Sequence, residues 1–349
     1  MPTFQREWGK RIIKLSQVKI PTLLLVGNHD LSPAAGRAHA IQEFDTLQVP
    51  YVKVLQKPEF LSPNELWDVP VQVIAMPWIS RSGLMASMES SAADTKELFS
   101  NIESRISELV EAWIEEADKN IPLILTAHAS VEGATFGGER LVMLGSDLVL
   151  PTALVKDQRL DYVAMGHIHK PQDVNKGNHP PVIYPGSIER VDFGEAKDDK
   201  FYIIADVTRG STKVEWKKIE GTRPFIECRA VLKHALSEVE ASSENVTESL
   251  KNALPKDMSE AIVKLVVEYP RELDTLIDEA ALRKHAEQAF EFHLVKKPQV
   301  ESRVRIPEGQ VVSSMSPLDL LGQYFASAKI EDAEALQKLA QEIISEENQ

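Results

Sequence analysis

Three short apolar runs in this chain each end at a histidine. Ile20–Val26 leads into Gly27-Asn28-His29-Asp30, Pro122–Leu125 into Ala127-His128, and Leu160–Met165 into Gly166-His167-Ile168-His169. Short apolar runs bounded by turn residues read as buried strands. A strand end gives rigid backbone, and the loop after it turns a side chain toward a shared point at the sheet edge. The pattern therefore favours an α/β fold whose His-bearing strands all finish on one side.

The rest of the chain fits around those strands. Phe4, Trp8, Ile12 and Leu15 recur at helical spacing and predict an amphipathic helix before the first strand. Arg81–Asp94 has little periodicity and reads as a loop. Asp94 is a candidate N-cap for a long helix with Leu98, Ile102, Ile106, Leu109 and Trp113 on its apolar face. Val182–Tyr184 leads into the turn Pro185-Gly186-Ser187. Phe201–Val207 and Lys213–Ile219 read as paired strands about a turn at Thr208–Ser211.

Composition shifts near Gly221–Pro224. Beyond it lies a strand–helix–strand–helix–strand pattern: Phe225–Leu232, Val246–Ala253, Ala261–Glu268, Asp278–Gln288 and Phe290–Val295. A loop follows, and then Ser316-Pro317-Leu318-Asp319, with a capping serine, proline at the first helical position and an acid at the third. The expected domains are 1–220, a smaller α/β domain at 221–305, and a linker with C-terminal helices at 306–349.

Several classes are set aside by composition. The 349 residues suffice for two or more domains, and 43% hydrophobic with 26% charged residues is an ordinary globular balance. Apolar runs are too short for a membrane span, and Met1–Lys10 lacks the apolar stretch of a secretion signal. Cys228 is the only cysteine, which excludes an intrachain disulfide and fits the reducing cytoplasm. A net charge of −14 argues against a general nucleic-acid binder. It leaves room for an enzyme that meets nucleic acid through a cation or a local basic patch.

The residue types at the strand ends suit metal chemistry. Asn28 offers a neutral amide oxygen, and His128 and His167 offer imidazole nitrogens, a set for a borderline divalent ion. His167 and His169 are two apart and can reach two neighbouring points. Two cations about 3.5–4 Å apart clamp the attacking and leaving oxygens of a phosphoester. His29 is then the candidate to protonate the leaving group, with Asp30 orienting it. Alone, Gly-Asn-His-Asp is an ordinary tight turn and Gly-His-Ile-His an ordinary surface turn. Their joint occurrence, each behind a strand, is what points to a site. His39, His179, His234, His285 and His293 lack that context, and Cys228 reads as a packed strand residue.

These residues resemble the calcineurin-like metallophosphoesterase family. The stretches Tyr162–Pro171, Tyr184-Pro185-Gly186-Ser187 and Arg223-Pro224-Phe225, with the second domain and the Ser-Pro-Leu helix, are similar to its SbcD-type nuclease subunits. The resemblance implies a β-sandwich flanked by helices, a DNA-binding cap over 221–305, and C-terminal helices that dock on an SbcC-type, SMC-like ATPase. It assigns Asn28, His128 and His167 to one metal, His169 to the other, and catalysis to His29 supported by Asp30. It further implies Mn²⁺ as the metal, DNA as the substrate of an exonuclease or endonuclease in break repair and recombination, and a homodimer. The Asp-x-His and Gly-Asp motifs with which the family opens do not precede Gly27. The chain is therefore expected to start inside the fold, with an incomplete first-metal site and nuclease activity close to background. Two other readings stay open: a metallophosphoesterase acting on nucleotides or phosphoproteins, and a non-catalytic, partner-binding paralogue.

Overall fold

A computed structural model of the chain describes residues 2–31, 39, 41–79, 95–137, 149–232, 242–299, 316–328 and 333–347. The loop read at 81–94, including Asp94, and most of the linker read at 306–349 lie outside them. The chain forms two compact units. One comprises Met1–Glu227 with Glu260–Ile262, the other Cys228–Ser259 with Val263–Gln349.

The first unit is organised by a six-stranded sheet. Its central strands are β4 (Gln72–Met76), β5 (Leu123–His128), β8 (Tyr162–Gly166) and β10 (Val182–Tyr184). All neighbours among these four are parallel. β3 (Glu59–Leu61) and β9 (Gln172–Asp173) close the two edges antiparallel. Parallel strands buried on both faces need continuous apolar sequence, and every residue of β4 is buried. Ile74 and Met76 point into a core with Ile106, Val110 and Ile114 of α3 (Thr95–Glu116). Val73 and Ala75 point the other way, to Leu55, Leu61 and Leu66. The alternation places β4 between two cores, as a layered α/β fold requires.

The apolar stripe of α3 is rotated from the one expected. Ile106, Val110, Ile114 and Ala117 are buried, while Leu109 is exposed and Trp113 only packs at the margin. Spacings of four, four and three define this face as well as the predicted one did. Contact with β4 and β5 selected between them.

A separate parallel pair, β1 (Thr22–Leu25) and β2 (Val52–Leu55), carries the first motif. Its core is Leu24, Val26 and Val54 with Ile12 of α1 (Pro2–Gln17) and Phe44 of α2 (Gln42–Thr46). The hairpin β11 (Phe201–Thr208) and β12 (Ser211–Lys218) forms as read, with Thr208 opposite Ser211. Two short strands, β6 (Ser130–Val131) and β7 (Val149–Leu150), pair in parallel, and the short helix α4 (Thr152–Val155) follows β7.

In the second unit a three-stranded sheet takes the order β13 (Phe225–Val231), β14 (Ile262–Pro270), β15 (Glu291–Gln299). Val263, Leu265 and Val267 are fully buried, as are Val246 and Leu250 of α5 (Ser243–Asn252) and Leu282 of α6 (Glu279–His285). Ser242 accepts from Asn245 N and caps α5; Asp278 does the same for α6 through Ala281 N. The tail forms α7 (Pro317–Ala328) and α8 (Ala333–Glu347). Ser316 and Asp319 make a reciprocal cap at the start of α7, where Asp319 N donates to Ser316 Oγ at 3.2 Å. No helix among the described residues is long and apolar enough to cross a membrane.

One buried carboxylate ties the hairpin to the sheet. Asp161 has no exposed side-chain surface and accepts from Leu123 N (2.8 Å), Gly210 N (2.6 Å) and Arg209 Nη1 (2.7 Å). Removing it strands two backbone donors and a cation. We expect Asp161→Ala to destabilise the protein by about 3 kcal/mol or more in urea unfolding; a loss below about 1 kcal/mol would contradict this account of the hairpin's attachment.

Candidate metal centre

Strand register brings the motifs together. β5 and β8 are neighbours, and His128 lies directly opposite Gly166, so His167 follows immediately across the ladder. β4 is the other neighbour of β5, with Met76 opposite Ala127. Trp78, two residues on, therefore emerges at the same carboxyl edge. Its backbone N–H donates to Val26 O at 2.8 Å, tying the end of β1 to this edge. In open α/β sheets the carboxyl ends of parallel strands are where ligands bind.

Asn28, His128 and His167, all half-buried, converge there. His128 Nε2 lies 2.9 Å from Asn28 Oδ1. The rings of His128 and His167 are 5.2 Å apart, and Trp78 sits 4.8 Å from His167 and edge-on to His128 at 6.1 Å. Two glycines make room for the His128 ring. A Cβ on Gly27 would sit 2.7 Å from its Cε1, and one on Gly166 would sit 2.9 Å from its Nδ1. Behind it, Tyr184 Oη donates to Ala129 O at 2.7 Å and fixes the chain just after the histidine. His167 itself has φ of 100°, a conformation costing a non-glycine residue on the order of 1–3 kcal/mol. Strain of this kind persists only where surrounding structure imposes it.

The other predicted residues take different places. Asp30 closes its own turn: Gly27 N donates to its Oδ2 at 2.7 Å, and Asp30 N donates back to Gly27 O at 3.2 Å. His29 is exposed at the rim. His169 points its Nδ1 at Glu195 Oε1, 2.8 Å away. Glu195 is buried and shares its second oxygen with Lys200 Nζ (2.5 Å) and Ser187 Oγ (3.1 Å). Burial opposes the charge on Glu195, but its bonds to Lys200 and His169 outweigh that and hold the carboxyl below the usual carboxylate range. Gly186 has φ of 85°, and a Cβ there would meet His169 O at 2.6 Å. Ser187 N donates to that same oxygen at 3.2 Å, so only glycine lets the two loops close on each other.

Trp78 and Glu195 are site residues that the sequence reading missed. Gln72–Met76 is a fourth apolar run ending at a distinctive residue, the same signature as the other three. An aromatic ring offers no metal donor, so a search for ligands passes over it. Glu195 is 26 residues from His169 in sequence, and no spacing rule connects them.

Asn28, His128 and His167 together suit one divalent cation. No group of three or more His, Cys, Asp or Glu side chains forms a metal-holding cluster among the described residues. The Asn28–His128 pair nevertheless has the right spacing. Two donors each about 2.1 Å from a metal at a right angle lie about 3.0 Å apart. The observed separation matches that, and matches equally a hydrogen bond from Nε2–H to the amide oxygen. Asn28, His128 and His167 thus fit one cation bound by neutral nitrogen and oxygen. They do not supply the bridging carboxylate that a metal pair needs.

Comparison with known proteins agrees with this geometry. Residues 3–171 match the Calcineurin-like phosphoesterase family, which uses divalent metals. The chain is 27% identical to the D component of the nuclease SbcCD of Staphylococcus epidermidis over 195 residues, 55% of this chain and 47% of that protein. It is 30% identical to the DNA double-strand break repair protein Mre11 of Methanopyrus kandleri over 172 residues, 46% of this chain and 33% of that protein. It is 41% identical over 59 residues to the uncharacterized metallophosphoesterase YhaO of Bacillus subtilis, 17% of this chain and 14% of that protein. The matches span less than half the length of each relative.

Residues 3–171 are therefore a calcineurin-like phosphoesterase domain. Its further resemblance to SbcD-type nuclease subunits is supported by the first two relatives.

The donor chemistry sets the expected metal preference. Three neutral donors favour ions late in the divalent series, so calorimetry should show Zn²⁺ bound at least tenfold more tightly than Mn²⁺, on the order of magnitude that series implies; two tight Mn²⁺ sites would contradict the donor set. Gly27→Ala should weaken Zn²⁺ binding about as much as His128→Ala, because the added methyl displaces the His128 ring. Unchanged affinity in Gly27→Ala would mean that the ring position is not critical.

Proposed function

We propose that this chain is a metal-dependent DNA phosphodiesterase, a nuclease subunit acting with an SMC-like ATPase in break repair. The observation that carries the reading is the convergence of Asn28 Oδ1 and His128 Nε2 at 2.9 Å beside His167. The first relative is named a nuclease subunit and the second a DNA double-strand break repair protein, which supports DNA as the substrate class.

Each residue has a physical role in this reading. Asn28, His128 and His167 hold a cation, with His169 turned toward a second, and Mn²⁺ is the ion the family resemblance implies. A bound divalent cation supplies Lewis-acid polarisation of the phosphoryl group. Trp78 walls the site with apolar surface and restricts the His128 and His167 rings. His29, exposed next to Asn28, delivers a proton to the departing sugar oxygen. Asp30 keeps the His29 turn closed through Gly27 N.

The remaining assignments follow the resemblance. The 221–305 region acts as a DNA-binding cap in a cytoplasmic enzyme. Exposed apolar residues on and after α1, including Phe4, Trp8, Ile13 and Val18, serve a homodimer contact. α7 and α8 dock on the ATPase, for which Leu336 and Leu339 offer exposed apolar surface.

Linear duplex DNA, nucleotides and a phosphopeptide offered at equal Mn²⁺ should separate the readings. We expect DNA to be cleaved at least tenfold faster than the others. His29→Ala should lower that rate by about 10²–10⁴-fold without loss of bound metal. Faster hydrolysis of a nucleotide or phosphopeptide would favour the second enzyme class. No hydrolysis of any substrate, with ATPase binding intact, would favour a partner-binding protein. Deleting 316–347 should abolish capture by the ATPase in a pull-down; unchanged capture would make the tail core packing only.

A further inference from the structure

The Glu195–Lys200–Ser187 cluster is costly in a way that fold stability alone does not explain. Glu195 and Lys200 are both almost fully buried. Buried ion pairs are often no more stabilising than apolar residues of the same volume. This one is also asymmetric. Lys200 and Ser187 both engage Glu195 Oε2, while Oε1 is aimed outward at the Nδ1 of half-buried His169. A pair needed only for packing would not require one carboxylate oxygen to face a solvent-accessible imidazole.

We propose that Glu195 is a positioning residue for His169: it holds the ring in the tautomer protonated at Nδ1, so that Nε2 presents its lone pair to a cation. Lys200 and Ser187 hold the carboxylate fixed in orientation through its other oxygen. A histidine that binds a metal usually donates its other ring N–H to a carboxylate or carbonyl, which fixes the tautomer and strengthens the ligand. The closed loops at Gly186 and Ser187 hold the His169 backbone, so the ring's remaining freedom is rotation and tautomer. Glu195 removes both. The cation end of this proposal rests on the metal-centre reading above; the tautomer end does not.

The test is long-range ¹H–¹⁵N NMR of the histidine rings in the full chain without metal, at a pH where the imidazoles are neutral. The wild-type protein should show His169 protonated at Nδ1, and an Nε2–H form there would overturn the proposal before any variant is made. Glu195→Gln combined with Lys200→Met leaves no buried charge unpaired. In it, His169 should shift to a mixture of tautomers, and Zn²⁺ affinity at the His169 site, read by calorimetry as the step that His169→Ala removes, should fall about 10- to 100-fold. Glu195→Asp retains the charge for Lys200 but withdraws it from the ring, and should shift the tautomer in the same direction. A His169 tautomer unchanged in both variants would sink the idea. A shifted tautomer with Zn²⁺ affinity indifferent to both Glu195→Asp and His169→Ala would overturn the cation assignment of His169 and leave its tautomer control standing.

Discussion

The candidate centre depends on the register of three neighbouring parallel strands. His128 faces Gly166 across one ladder, and Ala127 faces Met76 across the other. That pairing sets His128, His167 and Trp78 at one carboxyl edge. A slip of one residue in β5 would reverse its side chains and send His128 to the opposite face. The register is held by the alternating burial of β5, in which Leu123, Leu125 and Ala127 are buried and the residues between are not. Hydrophobic packing therefore selects the register that decides where the donors meet.

Local structure gives up stability to keep the site in place. His167 occupies a strained backbone conformation, Gly27 and Gly166 forgo side chains to admit one ring, and a charged pair is buried behind His169. None of these helps the sheet. Together they fix the orientation of three imidazoles, as a site that must be organised before its ligand arrives requires. The hairpin anchor at Asp161 shows the contrast. There the buried carboxylate meets two backbone N–H groups and one guanidinium, all of them structural.

Much of this was legible in the sequence, for physical reasons. The α/β class and the order of the major elements followed from apolar runs ending at turn residues. Asn28, His128 and His167 stood out because polar donors directly after such runs have few structural uses. The stripe on α3 was misplaced because two helical faces carried equal apolar weight, and only the neighbouring sheet distinguishes them. Short strands such as Val52–Leu55 and Glu59–Leu61 were not read, since a few apolar or mixed residues carry no period of their own. Trp78 was hidden by chemistry and Glu195 by distance along the chain. The orientation of Asp30 toward Gly27 N was equally invisible, because the sequence places its carboxylate as near to His29 as to the turn backbone.

Under the proposed function, a chain of net charge −14 must meet DNA phosphates through cations or a local patch, which makes the strand-edge centre the decisive feature. The most direct measurement is anomalous scattering from crystals grown with Zn²⁺. A strong peak is predicted at the sheet edge, within about 2.3 Å of both Asn28 Oδ1 and His128 Nε2 and in contact with His167. A fully occupied ion elsewhere on the chain, with Asn28 and His128 still hydrogen-bonded to each other, would contradict it.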